Sequence, residues 1–106
     1  MNRRSASSVV SAPVVIGRQV LGHVSELVLD PDLVRLVGYE VELASGARRF
    51  LPMGVASPGP AGIEVASPLH LVEPEYYRRY GVALADAPAD EHLDIDLDSG
   101  DVIRSA

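Results

Sequence analysis

The segment over residues 14–43 constrains the fold most strongly, because it reads as three consecutive β-strands. Its apolar runs are separated by Gly17, by Gly22 and by the turn sequence Asp30-Pro31-Asp32. Proline supplies the fixed φ angle that a turn requires, and Asp30 supplies a side-chain oxygen that can cap it. The sequence therefore predicts a hairpin whose two strands flank this turn.

The third run alternates between apolar and acidic positions, which is the pattern of a half-buried strand. The apolar positions are Leu33, Val37, Tyr39, Val41 and Leu43, and the acids are Glu40 and Glu42. We expect the apolar side chains to face one core and both glutamates to face solvent. In the preceding run the apolar phase slips, which predicts either a bulge near Ser25 and Glu26 or burial on both faces.

The chain beyond residue 43 predicts shorter elements joined by turns. Ser45-Gly46 turns the chain into a strand over residues 47–53, where Pro52 indicates an edge position or a strand end. Residues 57–62 predict a tight connection into a short strand over residues 63–66. Residues 74–80 are typical of a short helix, because a proline suits the first helical position and Gly81 suits the left-handed stop.

A chain of 106 residues is the size of one domain, and its apolar fraction of 47% can build a modest core. We expect a disordered lead-in over residues 1–12, a domain over residues 13–84 and an acidic segment over residues 85–106. Residues 86–106 hold seven acids and one arginine, which accounts for the whole net charge of −6. The acidic segment reads either as a linker and unfolded tail or as a terminal hairpin.

Six short motifs follow one another within residues 13–72. They are Ile16-Gly17, Gly22-His23-Val24, Leu27-Val28-Leu29-Asp30-Pro31, Leu36-Val37-Gly38, Leu51-Pro52 with Val55, and Gly62-Ile63-Glu64-Val65. Their order resembles the PRC-barrel family, named for the photosynthetic reaction centre. The expected fold is therefore all-β, a small and mostly antiparallel PRC-like β-barrel, with the one short C-terminal helix described above. The resemblance also implies a role as an assembly module.

The sequence offers few candidates for chemistry. It has no cysteine, no Gly-x-Ser-x-Gly nucleophile elbow and no glycine-rich phosphate loop, and its three histidines are far apart. Asp94, Asp96 and Asp98 could hold a hard cation, but Ser99 stands where a calcium loop needs glycine. We therefore expect a chain that is not an enzyme and that has no cofactor and no metal site. A metal or small-ligand binder that uses these aspartates is a weaker alternative.

Two clusters combine basic and aromatic residues. One is Arg48, Arg49 and Phe50, and the other is Tyr76, Tyr77, Arg78, Arg79 and Tyr80. Base stacking and phosphate contact would make such clusters nucleic-acid platforms, but a neutral body with an acidic tail argues against a nucleic-acid partner. Tyrosine and arginine are also preferred at protein interfaces. The second cluster is our candidate interface, and the first one remains the nucleic-acid alternative.

These observations predict a non-catalytic interaction or scaffold module of the PRC-barrel type. We expect it to form a homodimer, through strand edges or through the second cluster, or to bind an unidentified protein partner. The alternative is a ribosome- or RNA-associated processing factor that uses the arginines of both clusters. No segment approaches the roughly 20 apolar residues of a membrane span. The lack of cysteine fits a reducing compartment, so the predicted location is cytoplasmic.

Overall fold

The structure, a computed structural model, describes residues 3–75, 81–86 and 93–104. Over these ranges the chain is built mainly from β-strands, which confirms the predicted all-β class. The strands are β1 (Arg3–Ser5), β2 (Pro13–Ile16), β3 (Gln19–Leu29), β4 (Leu36–Leu43), β5 (Arg48–Pro52), β6 (Ala56–Gly59), β7 (Gly62–Val65), β8 (Val82–Ala83), β9 (Leu93–Asp96) and β10 (Val102–Arg104). The helical elements are α1 (Ala6–Val9) and three 3₁₀ turns over Met53–Val55, Pro68–His70 and Leu84–Asp86. No helix in the described ranges is long and apolar enough to cross a membrane.

Most of the strands belong to one curled sheet that forms a half-barrel. Its strand order is β5-β4-β3-β2-β7-β6, and β8 pairs with the end of β3. The β2–β7 pair is parallel, whereas the other described pairs in this sheet are antiparallel. A second sheet has the order β1-β9-β10. The two sheets meet where the backbone N–H of Leu36 donates to the Gly100 carbonyl at 2.7 Å.

The β3–β4 hairpin forms at the predicted turn. The Asp30 carboxylate accepts the backbone N–H groups of Val34 at 2.8 Å and of Arg35 at 3.1 Å, so it caps the turn as expected. Leu33 adopts a left-handed conformation with a φ of 58° and packs against the main core from within the turn. The strand itself begins only at Leu36.

The later turns lie close to their predicted positions. The chain reverses at Ser45-Gly46, where Gly46 has a φ of 89°, and β5 then ends at Pro52 as expected. The connection expected over residues 57–62 is wrong in part, because β6 extends to Gly59. Only Pro60-Ala61 remains between the two strands of this hairpin.

A bulge in β3 explains the slipped apolar phase of that strand. Val24 pairs with Val41 and Glu26 pairs with Glu40, so Ser25 is the extra residue. The bulge predicted near Ser25 and Glu26 is therefore confirmed. Burial on both faces occurs as well, because the consecutive residues 27–29 are all fully buried.

The alternation predicted for β4 holds for most of the strand. Tyr39 and Val41 are buried in the main core, and Leu43 packs against it. The assignment of Val37 to this core is wrong, because Val37 packs in a second cluster that contains Phe50. The physical reason is a second register shift between β3 and β4, which breaks the alternation at this end of the hairpin.

The disordered lead-in predicted over residues 1–12 is wrong for residues 3–12. Within this stretch β1 pairs with β9, and α1 packs against β3 and β9. Ala6 and Val9 lie three residues apart, on one face of α1, and both are 2% exposed. A weakly apolar run is enough to order this segment, because it adds two side chains to a core that the other elements build.

The acidic segment forms a terminal hairpin over residues 93–104, which decides between the two alternatives. The strands β9 and β10 pair antiparallel, and Leu93, Ile95 and Leu97 are buried in the main core. Between them Asp94 forms an ion pair with Arg3 of β1 at 2.7 Å. The segment therefore completes the core. Residues 87–92, the rest of the expected linker, lie outside the described residues.

The helix predicted over residues 74–80 falls mostly outside the described ranges. Pro74 is buried and Glu75 has a helical backbone, and the description stops there until residue 81. The single helix that the described ranges contain in full is α1, near the N-terminus. The C-terminal helix therefore stays a prediction.

Both outer strands of the large sheet are poorly suited to adding another strand. Beyond β5, Phe50 and Val72 exchange backbone hydrogen bonds at 2.7 and 2.8 Å, and the Arg49 guanidinium donates to the Arg48 carbonyl at 2.8 Å. On the other side, β6 contains Pro58, which has no N–H to donate. Such features oppose edge-to-edge pairing with another chain.

Replacing Ile95 by alanine should lower the free energy of unfolding by about 3 kcal/mol, because a fully buried side chain is lost and a cavity remains. The matched control is Ile103→Ala in β10, where the same atoms leave a half-buried position, and there we expect a loss of about 1 kcal/mol. Urea unfolding of the two variants measures the difference. Equal losses would contradict the role of β9 in completing the core.

Burial raises the pKa of Tyr39 from 10.0 to about 12. Its hydroxyl donates only a weak hydrogen bond, to Met53 Sδ at 3.8 Å. Because the unfolded tyrosine ionises first, the folded state should keep its stability below pH 10.0 and lose about 2 kcal/mol as the pH rises toward the folded pKa of about 12. Denaturant unfolding on both sides of this window tests the effect. In Tyr39→Phe the same rise in pH should leave stability almost unchanged.

Candidate interaction site

The structure describes only one of the two basic-aromatic clusters. Arg48, Arg49 and Phe50 are consecutive residues of β5. The candidate interface, Tyr76, Tyr77, Arg78, Arg79 and Tyr80, lies outside the described residues. Its role in binding therefore remains a prediction.

Phe50 does not offer its ring to a ligand, because it is buried. It packs with Val28 and Val72 in the second apolar cluster. Gly38 on the neighbouring strand makes room for the ring, since a Cβ at that position would collide with it. The stacking role considered for Phe50 is thus blocked in this conformation.

Glu40 lies opposite Phe50 in the β4–β5 register and is only 9% exposed. The expectation that it faces solvent is therefore wrong. Its Oε1 accepts hydrogen bonds from Arg48 Nη1 at 2.8 Å and from the hydroxyl of Ser25, the bulge residue, at 3.0 Å. Charged and hydroxyl donors of this kind are what make a buried carboxylate tolerable. The apolar–acidic alternation of β4 gives no indication of these donors.

Arg48 also approaches a second glutamate. Its Nη2 lies 3.9 Å from Glu42 Oε2, and the two residues are directly opposite each other in the register. The Arg48 side chain is 58% exposed, so solvent screens this pair and its contribution to stability is small. Glu42 also lines a neighbouring cleft.

A shallow cleft of about 420 Å³ lies where the start of β3 pairs with the end of β4, and we call it the β3–β4 cleft. Leu21 and Leu43 line it, and Val20 stands at its side with 62% of its surface exposed. Gly22 allows the two strands to approach closely, because a Cβ there would collide with the Glu42 carbonyl oxygen. The cleft thus combines an apolar lining with an exposed apolar side chain.

His23 and Glu42 supply the polar part of the same cleft. They are paired across β3 and β4, and His23 is exposed. An imidazole can donate a hydrogen bond, and a glutamate carboxylate accepts one. The cleft therefore presents a hydrogen-bond donor and an acceptor on one wall. Apolar lining with a few polar groups is the usual composition of a binding site.

The histidines do not assemble a reactive group in the described ranges. No set of three potential metal ligands occurs there. His70 lies in the 3₁₀ turn over Pro68–His70, and its Nδ1 is buried without a hydrogen-bond partner among the described residues. His92 lies outside the described ranges. The prediction that the chain binds no metal and catalyses no reaction is not tested by these facts.

Comparison with known proteins does not extend the family resemblance. No family model matches the chain, and no curated protein matches it either. The resemblance to the PRC-barrel family therefore rests on the motifs within residues 13–72.

The sequence patterns did not predict Val20, His23 or Glu42 as site residues. The sequence does contain one signal for the position of Glu42. A tight turn at Ser45-Gly46 places Glu42 opposite Arg48 on the neighbouring strand. The cleft itself has no local signal. It arises from the pairing of β3 with β4 around Gly22, which is a long-range contact.

Arg48→Met should lower the free energy of unfolding by about 1 to 2 kcal/mol, because the buried Glu40 carboxylate loses a charged donor while the aliphatic stem is retained. Arg49→Met is the control, since its guanidinium bonds to a backbone carbonyl at the surface, and we expect a change within about 0.5 kcal/mol. Urea unfolding compares the two. Indistinguishable midpoints would mean that water replaces Arg48 without loss.

Proposed function

We propose that this chain is a non-catalytic interaction module of the PRC-barrel type that self-associates through the β3–β4 cleft. Val20 carries the proposal, because it is an exposed apolar side chain beside an apolar cleft. In a two-fold dimer, Val20 of each copy enters the cleft of the other copy, so one surface supplies both the projection and the receptor. Removing this apolar surface from water favours association.

Hydrogen-bond complementarity favours a second copy as the occupant of the cleft. His23 and Glu42 stand on the same wall. A two-fold axis through the cleft turns His23 of one copy toward Glu42 of the other, and it does so twice. A partner that offers only hydrogen-bond acceptors would instead match His23 and not Glu42.

Association through this face is favoured over the addition of a strand, since β5 and β6 offer few free backbone donors. The Tyr-Arg segment over residues 76–80 remains the other predicted contact, as an extension of the dimer interface or as the surface for an unidentified protein partner. This part of the proposal rests on the preference of interfaces for tyrosine and arginine.

The family and the location belong to the same proposal. The motif order within residues 13–72 supports the PRC-barrel type, and a curled sheet that forms a half-barrel is compatible with it. The non-catalytic role rests on a sequence without a recognisable nucleophile motif. The cytoplasmic location rests on the lack of cysteine.

The ribosome- or RNA-associated alternative has weaker support. Of its candidate residues, Phe50 is buried and Arg48 is bound to Glu40. Salt-sensitive binding of RNA by the intact chain would favour this alternative over self-association.

Analytical ultracentrifugation over a concentration series tests the dimer. We expect a reversible monomer–dimer equilibrium for the wild-type chain. Val20→Gln should raise the dimer dissociation constant by roughly 100-fold, because about 1.5 kcal/mol of apolar burial is lost in each of the two copies.

The matched control is Val34→Gln. Val34 is 53% exposed and lies in the β3–β4 turn, at the opposite end of the hairpin from Val20, so its replacement should leave the equilibrium unchanged. A wild-type chain that stays monomeric at high micromolar concentration would remove self-association and leave a different protein as the partner. A dimer that tolerates Val20→Gln would exclude the β3–β4 cleft as its interface.

A further inference from the structure

A second cleft, of about 360 Å³, lies between the segment that follows α1 and the β6–β7 turn. We call it the Ser11 cleft, because Ser11 lines it together with Arg4 of β1 and the turn over residues 59–62. Both Arg4 and Ser11 are exposed. Apart from Pro13, the Ser11 cleft shares no lining residue with the β3–β4 cleft.

Ser11 occupies a backbone position that favours glycine. The chain turns over residues 9–12, where the Ala12 N–H donates to the Val9 carbonyl at 3.0 Å. Val10 has φ −62° and ψ 133°, and Ser11 has φ 82°, which are the angles of a type II turn. The third residue of this turn needs a positive φ, and a side chain is strained there.

The contacts that Ser11 makes with the described residues do not explain why this position carries a side chain. Its backbone N–H donates to the Val24 carbonyl at 2.7 Å, a bond that glycine would make equally well. The Ser11 hydroxyl makes no hydrogen bond to any of the described residues. A strained residue whose side chain has no partner among the described residues suggests that the side chain acts on something else.

The chemistry of the Ser11 cleft fits an oxyanion. A guanidinium and a hydroxyl are both donors, and together they match the acceptor oxygens of a phosphate group. Gly62 also lines the cleft; its φ is 138°, and a Cβ there would collide with the Pro13 carbonyl oxygen. The Glu64 carboxylate lies against Gly59, which disfavours an anion directly beside Gly59.

We propose that the Ser11 cleft binds a phosphate group through the Ser11 hydroxyl and the Arg4 guanidinium. The volume leaves space for a small substituent on the phosphate. The site is independent of the proposed dimer, because the two clefts are lined by different residues apart from Pro13.

Titration of the wild-type chain with inorganic phosphate, followed by NMR of the backbone amides, tests the proposal. We expect saturable shifts confined to residues 3–5, 9–13 and 59–62, with acetate and chloride at matched ionic strength about tenfold less effective. A response to chloride equal to that to phosphate, or the absence of saturation, would overturn it.

Ser11→Gly separates a structural role from a binding role. Because glycine relieves the strained φ, this variant should unfold at a higher temperature than the wild type and yet bind phosphate about tenfold more weakly. Arg4→Gln should weaken binding to a similar extent. Arg18→Gln, an exposed arginine outside the Ser11 cleft, is the control and should bind as the wild type does. Wild-type affinity in a stabilised Ser11→Gly variant would show that the hydroxyl has no part in binding.

Discussion

The backbone pairing of β3 organises the large sheet of this protein. This strand pairs with β4 along most of its length, with β2 near its start and with β8 at its end. Its pairing is interrupted where Leu21 and Ser25 are extra residues opposite β2 and β4. An extra residue bends and twists a strand, which fits the curl of the sheet into a half-barrel. The same irregularities place a hydroxyl on Glu40 and a leucine in the β3–β4 cleft.

Sequence reasoning located the hairpins well, because their signals are local. The Asp30-Pro31-Asp32 turn and the Ser45-Gly46 turn are set by residues within five positions of each other. The wrong lead-in prediction and the two alternatives left open for the acidic segment both concern segments that become structured through distant contacts. α1 and β9 are short and weakly apolar, and each is stable only because it packs on strands far away in the sequence. A prediction from local pattern assigns such segments to a lead-in or a tail.

The sites were harder to predict than the fold, for a related reason. The apolar–acidic alternation of β4 predicted that Glu40 faces solvent. Alternation indicates which face of the sheet a residue occupies, but it does not indicate which residues cover that face. The two clefts are likewise products of tertiary structure, and the strained φ of Ser11 has no signal in the residue type itself. Both proposed functions rest on these tertiary features. An interaction module needs a rigid scaffold with a few exceptional surface positions, and Val20 and Ser11 are two such positions in this chain.

The pairing of β1 with β9 has a consequence for the order in which the chain folds. The Arg3–Asp94 contact joins residues 91 positions apart, whereas the β3–β4 and β4–β5 hairpins close over short turns. Closing a long loop loses more chain entropy and is slower than forming a hairpin. The three-stranded meander of β3, β4 and β5 should therefore form early, and the second sheet should join it in a late step. Until that step, the main core lacks Ile95 and the half-barrel keeps its apolar interior open to other molecules.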